Sequence, residues 1–186
     1  MRVVAGTARR LPLKTPKGAD TRPTTDRIKE TLFNILQTDI PDCVFVDLFS
    51  GSGGIGIEAL SRGARKAYFV DSSSEAAACI TENLRFTRLE QSGVVLKRDV
   101  FAGLYEIREP RVDLIFMDPP YGKGLERQTL EQLRNMRYVD QDTMIIVEAA
   151  LATDFSYLLE IGYTISREKI YKTNKHVFIR TGEDAS

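Results

Sequence analysis

The chain has 186 residues, 42% of them hydrophobic, with 26 basic and 26 acidic side chains and a net charge of zero. That length fits one domain large enough to bury most of its unfolded surface. A single histidine (His176) and two cysteines, Cys43 and Cys79, without ligand spacing predict no metal site, no Ser-His-Asp triad and buried reduced thiols. No apolar stretch is long enough for a membrane span and no signal peptide opens the chain, so a cytoplasmic protein is expected.

The neutral average hides an asymmetry. Residues 1–30 hold eight basic residues (Arg2, Arg9, Arg10, Lys14, Lys17, Arg22, Arg27, Lys29) against three acidic ones, and the remaining chain carries the compensating negative charge. Mixed with Pro12, Pro16, Gly18 and Pro23, these residues read as a basic N-terminal arm or hairpin over 1–23, suited to neutralising phosphates. A solvated terminal segment is the plainer alternative. The globular domain is expected over 24–182.

It opens with a helix near Thr25–Gln37, with Thr25 and Asp26 in its first turn and Ile28, Leu32, Ile35 and Leu36 on its buried face. Val44–Phe49 is an apolar strand running into Ser50-Gly51-Ser52-Gly53-Gly54-Ile55-Gly56 and then into a helical pattern. From Gly51 the glycines fit G-x-G-x-x-G, and Asp71 lies 20 residues on at the end of the strand Lys66–Val70. That is the dinucleotide-binding fingerprint, and a nicotinamide-dependent dehydrogenase is one reading. Asp47 argues against it: a carboxylate just before the loop disfavours phosphate and favours an ammonium or a sulfonium. S-adenosylmethionine carries both, with a ribose for Asp71.

Ser74–Arg88 reads as a helix in which Asn83 is a surface or capping residue. Val94–Phe101 is a further apolar strand carrying Asp99, an acid that taken alone is more simply an N-cap. Val112–Met117 ends at Asp118-Pro119-Pro120-Tyr121. Leu125–Met136 follows as a helix and Thr143–Glu148 as a fifth parallel strand. Tyr163–Tyr171 and Lys175–Arg180 form a terminal antiparallel pair, where a lone His176 is structural or exposed. Alternating strands and helices give a parallel α/β sheet covered on both faces. Asp47, Asp71, Asp99 and Asp118 then collect along its carboxyl edge.

Asp118-Pro119-Pro120-Tyr121 can hold a planar amine. The carboxylate and a neighbouring carbonyl each accept one N–H, which directs the lone pair toward an electrophile. Two prolines fix φ and remove competing donors, and the tyrosine ring can stack on a base. The bland reading is a turn after a buried strand.

The loop Asp47-Leu48-Phe49-Ser50-Gly51-Ser52-Gly53, the Asp-Pro-Pro-Tyr motif and Thr21-Arg22-Pro23-Thr24-Thr25-Asp26-Arg27 together resemble the RsmD family. Those enzymes methylate the exocyclic N2 of a guanine in 16S rRNA of the small ribosomal subunit. The family pattern leads one to expect a Lys-Tyr-Gly-Asp-Thr-like stretch near the end, where Lys172-Thr173-Asn174-Lys175-His176 stands.

The resemblance implies a Rossmann-like, seven-stranded class I S-adenosylmethionine-dependent methyltransferase fold. It implies Asp118, the Pro119 carbonyl and Tyr121 as catalytic residues on the base. Asp47, Ser50, Gly51 and Gly53 would lie on the methionine and ribose side of the donor, Asp71 on the ribose hydroxyls, and Asp99 with Val100 at the adenine. Arg9, Arg10, Arg22, Thr24 and Arg27 would contact RNA. The expected partner is 16S rRNA within a small-subunit assembly particle, with the enzyme a monomer. A DNA or protein amide N-methyltransferase shares the same catalytic motif, and a catalytically silent RNA-binding relative is a further alternative.

Overall fold

The computed structural model describes residues 1–16 and 25–182. In chain order they form α1 (Asp26–Ile35), β1 (Val44–Leu48), α2 (Gly54–Ser61), β2 (Lys66–Asp71), α3 (Ser74–Thr87), β3 (Gly93–Lys97) and α4 (Val100–Leu104). Then come β4 (Leu114–Met117), α5 (Leu125–Leu133), β5 (Met144–Ala150), β6 (Tyr163–Ile170) and β7 (Asn174–Thr181). Among the described residues the sheet has seven strands in the order β3-β2-β1-β4-β5-β7-β6. The first five are parallel, and β7 is antiparallel to both β5 and β6. This is the expected seven-stranded arrangement. No helix among the described residues is long and apolar enough to cross a membrane.

The central strands are apolar on both sides because each face is covered by helices. On one face Val44, Val46, Leu48, Ile115, Met117, Ile145 and Val147 pack with Leu104, Leu130 and Leu133 of α4 and α5. On the other Phe45, Ala67, Phe69, Leu114, Phe116 and Ile146 pack with Leu32, Phe33, Ile57, Ile80 and Leu84 of α1, α2 and α3. Each fully buried side chain of this size is worth about 1.5–3 kcal/mol of transfer free energy. The two-residue pleat also decides which polar residues share a face. Asp47, Asp71 and Asp118 fall on the α1–α3 face, in step with Phe45, Phe69 and Phe116.

Several sequence expectations are corrected. The buried face of α1 is Lys29, Leu32, Phe33 and Leu36, while Ile28 and Ile35 remain partly exposed. The cause is Glu58 on α2, which is fully buried and draws the Lys29 ammonium inward to 3.2 Å. The run expected as one strand to Phe101 ends at Lys97, because Asp99 caps α4 by accepting from Ala102 N at 3.1 Å. Asn83 is buried, not a surface residue. Its amide accepts from Lys14 N (2.9 Å) and donates to Lys14 O and Ser52 O (3.0 Å each) where the N-terminal segment crosses α3. His176, expected to be structural or exposed, is fully buried, which agrees with the structural reading.

The N-terminal segment is folded against the domain up to Pro16. Val3, Ala8 and Leu13 are in the core, and Arg2 bridges to Pro12 in antiparallel fashion. Arg9 and Arg10 are exposed on the intervening turn. Residues 17–23, including Arg22, and Thr24 lie outside the described residues.

Glu58 joins this segment to the helices. Its carboxylate accepts from Val4 N (2.8 Å), Ala5 N (2.9 Å) and Arg62 Nε (2.8 Å) as well as facing Lys29. Lys29 also donates to the Arg2 carbonyl. Burial lowers the Lys29 pKa, with Glu58 opposing that shift. Replacing Glu58 with alanine leaves a buried ammonium and two backbone N–H groups without their acceptor, so Glu58→Ala should cost about 3–5 kcal/mol of stability. Urea unfolding measures it; a loss under about 1 kcal/mol would show that the network contributes no more than a surface ion pair.

Candidate active site

A cavity of about 1090 Å³ lies outside the carboxyl ends of the strands, where the order reverses between β1 and β4. Phe49, Gly51, Asp71, Ser72, Ser73 and Ala76 line one part of it. Asp118, Pro119, Pro120, Tyr121 and Glu148 line the other, and Arg27, Lys169 and Lys172 bring positive charge to its border.

The glycine loop is held by carboxylates. Gly51 N donates to Asp71 Oδ2 (2.9 Å), Gly56 N to Asp47 Oδ2 (2.9 Å) and Gly53 N to Ser50 O (2.7 Å). A pyrophosphate needs bare N–H groups at this loop, and these three are engaged, two of them by acids. The dehydrogenase reading therefore loses its phosphate site. Gly51 has φ +55°, and a Cβ there would meet nothing within 4 Å, so the backbone presents itself directly to the cavity. Gly56 serves packing: a Cβ would come within 2.4 Å of the Phe69 ring. This acidic, phosphate-averse cradle fits a donor bearing an ammonium and a sulfonium.

The other sequence-expected donor residues separate. Asp71 lines the cavity, and its second oxygen accepts from Ser73 N at 2.9 Å, so the carboxylate is fixed between the loop and the start of α3. Asp47 lies beneath the loop, 2% exposed, one residue before the end of β1 and not at it. Burial raises its pKa well above the carboxylate range, against the pull of the Gly56 N–H, with Asp118 and Asp71 adding to the rise. Ser50 Oγ donates to Asp47 O (2.6 Å), and Gly53 caps α2 in a left-handed conformation. Asp99 is exposed and Val100 buried; both stand outside the cavity lining.

On the acceptor side Asp118 follows β4 directly, and Tyr121 is half exposed beside it. Burial, with the negative charge of Glu148 next in importance, pushes the Asp118 pKa up to about 8. Arg27 lines the cavity, whereas Arg9 and Arg10 do not.

Sequence reasoning missed Glu148, Asn174, His176 and Tyr171. Glu148 Oε1 accepts from Asn174 Nδ2 (2.6 Å), and its Oε2 lies 3.0 Å from His176 Nε2. His176 Nδ1 meets the Tyr171 hydroxyl at 3.2 Å. One signal was available: Glu148 is a further acid at the end of an apolar strand, in pleat step with Ile146.

The fold and this site define a class I S-adenosylmethionine-dependent methyltransferase. The chain belongs to the RsmD family, whose model, described as conserved hypothetical protein 95, matches residues 1–180. It is 31% identical over 170 residues to ribosomal RNA small subunit methyltransferase D of Escherichia coli K12, covering 91% of this chain and 84% of that protein. Identity to the protein of the same name from Haemophilus influenzae is 32% over 173 residues (91% and 88%). Among solved structures, a hypothetical protein of Thermus thermophilus superposes with a TM-score of 0.82 at 27% identity (97% and 99% covered).

The raised pKa of Asp118 has a consequence for stability. Between its ordinary value near 3.8 and about 8, the folded protein keeps a proton there that the unfolded chain has released. This contribution is full below about pH 4 and is lost as pH rises through about 8. Wild-type stability should therefore fall relative to Asp118→Asn across that window, read from urea midpoints at about pH 5 and about pH 8. Parallel pH dependences would mean that Asp118 is ionised throughout.

Proposed function

We propose that this protein transfers a methyl group from S-adenosylmethionine to the exocyclic N2 of a guanine in 16S rRNA of the small ribosomal subunit. The observation that carries the reading is the position of Asp118-Pro119-Pro120-Tyr121 across one cavity from Asp71 and the glycine loop. The similarity to proteins named ribosomal RNA small subunit methyltransferase D supports the substrate class, as do Arg27, Lys169 and Lys172 at the border.

Asp71 binds the donor's ribose hydroxyls, and Gly51 lets it approach the backbone. When bound, S-adenosylmethionine supplies a methyl group on a sulfonium, which needs no acid to leave. Hydrogen bonding to the guanine amine favours the ionised form of Asp118, whose carboxylate then accepts one N–H bond while the Pro119 carbonyl accepts the other, turning the lone pair out of conjugation. Tyr121 stacks on the flipped base. Rate comes chiefly from this positioning. After transfer the methylated amine is acidic, and Asp118 or water takes its proton.

The deciding experiment measures label from S-adenosylmethionine in small subunits lacking N2-methylguanine, followed by nucleoside analysis. N2-methylguanosine is the expected product; unlabelled RNA despite donor binding would redirect the search to DNA or protein amides. Asp118→Ala should abolish transfer while donor affinity, measured by calorimetry, changes less than about threefold. Joint loss of both would move Asp118 to the donor side.

Residues 1–16 cannot be deleted cleanly, because Val3, Ala8 and Leu13 are core. The exposed Arg9 and Arg10 test RNA binding instead. If each neutralises a phosphate, the double alanine variant should flatten the slope of log affinity against log salt by about 1.5. An unchanged slope would make the turn a solvated surface.

A further inference from the structure

We propose that Glu148 reads the base: its carboxylate accepts the N1–H of the target guanine, alongside the N2 amine held by Asp118. This rests on the guanine N2 reading above and adds a residue that determines specificity. The sheet register supplies the geometry. Met117 pairs with Val147 across the parallel strands β4 and β5, so Asp118 and Glu148 are the next residues on neighbouring strands, about 4.8 Å apart at the backbone. Both follow the same pleat, and both line the cavity.

The chemistry of the wall matches one base edge. A carboxylate only accepts. Guanine presents N1–H directly beside an N2 amine, a row of donors. Adenine and cytosine place a bare ring nitrogen beside their amines, and uracil has no amine. Two adjacent carboxylates therefore accept the guanine edge and oppose a lone pair on the others. Among the described residues no hydrogen bond engages the Asp118 carboxyl.

Glu148 is built to stay in place. It is 6% exposed and held at one oxygen by Asn174 and at the other by His176, whose far nitrogen meets Tyr171. Each carboxylate oxygen keeps a second lone pair for a ligand. Asn174 adds an acceptor of its own, since among the described residues its buried Oδ1 has no partner. The side chains that fix Glu148, Asn174 and His176, belong to the stretch where this chain departs from the family pattern. A purely structural buried acid would not need to border the cavity beside Asp118.

The test compares small subunits reconstituted with guanine or with 2-aminopurine at the target position. The analogue keeps the N2 amine but has a bare N1. Wild type should favour guanine in kcat/KM by a factor on the order of a hundred. Glu148→Gln, whose amide can donate to the bare N1, should shrink that ratio at least about tenfold, with melting temperature and donor affinity held as controls. An equal fall on both substrates, leaving the ratio unchanged, overturns the proposal and makes Glu148 a structural residue. Should Glu148→Gln fail to fold, Asn174→Ala loosens the carboxylate while keeping its charge; the ratio must narrow there too, and an unaltered ratio is again fatal. Wild type that forms no N2-methylguanosine even on guanine subunits brings down the underlying reading, and this inference with it.

Discussion

Everything at the site follows from one constraint: β1 and β4 lie side by side and parallel, yet the chain leaves them in opposite directions. β1 leads through α2 to β2 on one side, and β4 leads through α5 to β5 on the other. No connection covers the gap between the two strand ends, so a cavity opens there. The loop after β1 forms one wall and the segment after β4 the other. The pleat adds a second condition, because residues on the α1–α3 face must be an even number of positions apart along each strand. Asp71 on β2, Asp118 just after β4 and Glu148 on β5 satisfy it and line one cavity, although 77 positions separate the first from the last.

The electrostatic character of the cavity follows from that convergence. Of the charged residues that line it, Asp71, Asp118 and Glu148 are partly or fully buried, whereas Arg27, Lys169 and Lys172 are exposed at the border. Burial raises the pKa of Asp47 and Asp118, and neighbouring acids add to the rise, Asp118 and Asp71 at the first and Glu148 at the second. Such a site disfavours phosphates within and gains most from ligands bringing positive charge or N–H groups. A sulfonium donor supplies the first and a guanine edge the second. The basic border is where the backbone of a nucleic acid would remain. On the proposed reading, interior and border would take the base and the backbone of one nucleic-acid substrate.

The sequence made the sheet legible because both signals it relies on are local. Apolar runs of four to seven residues ended in Asp or Gly, and helical periods lay between them. The glycine loop, Asp71 and Asp118 were legible for the same reason. Glu148 and His176 were not, since their importance arises from pairing across β5 and β7, residues 28 positions apart. The rotation of α1 was equally hidden. Hydrophobic period alone favours burying Ile28, and only the buried Glu58 of another helix makes Lys29 the inward residue. Asp99 was legible as an acid at a strand end and as an N-cap, and the structure shows it capping α4, outside the cavity lining.

That rotation links the stability of the molecule to its substrate border. Arg27, Ile28 and Lys29 are consecutive on α1, so fixing one fixes the direction of the others, about 100° apart around the helix. With Lys29 buried against Glu58, Ile28 turns to the cavity and Arg27 to its border. Had Ile28 been buried as its hydrophobicity suggests, Lys29 would face away from Glu58 and Arg27 away from its present place. The buried ion pair is expensive to desolvate and contributes little net stability over an apolar pair of the same shape. Its effect is on orientation: it chooses which side of α1 faces the core, and thereby which cation lines the cavity that Asp118 and Tyr121 also line.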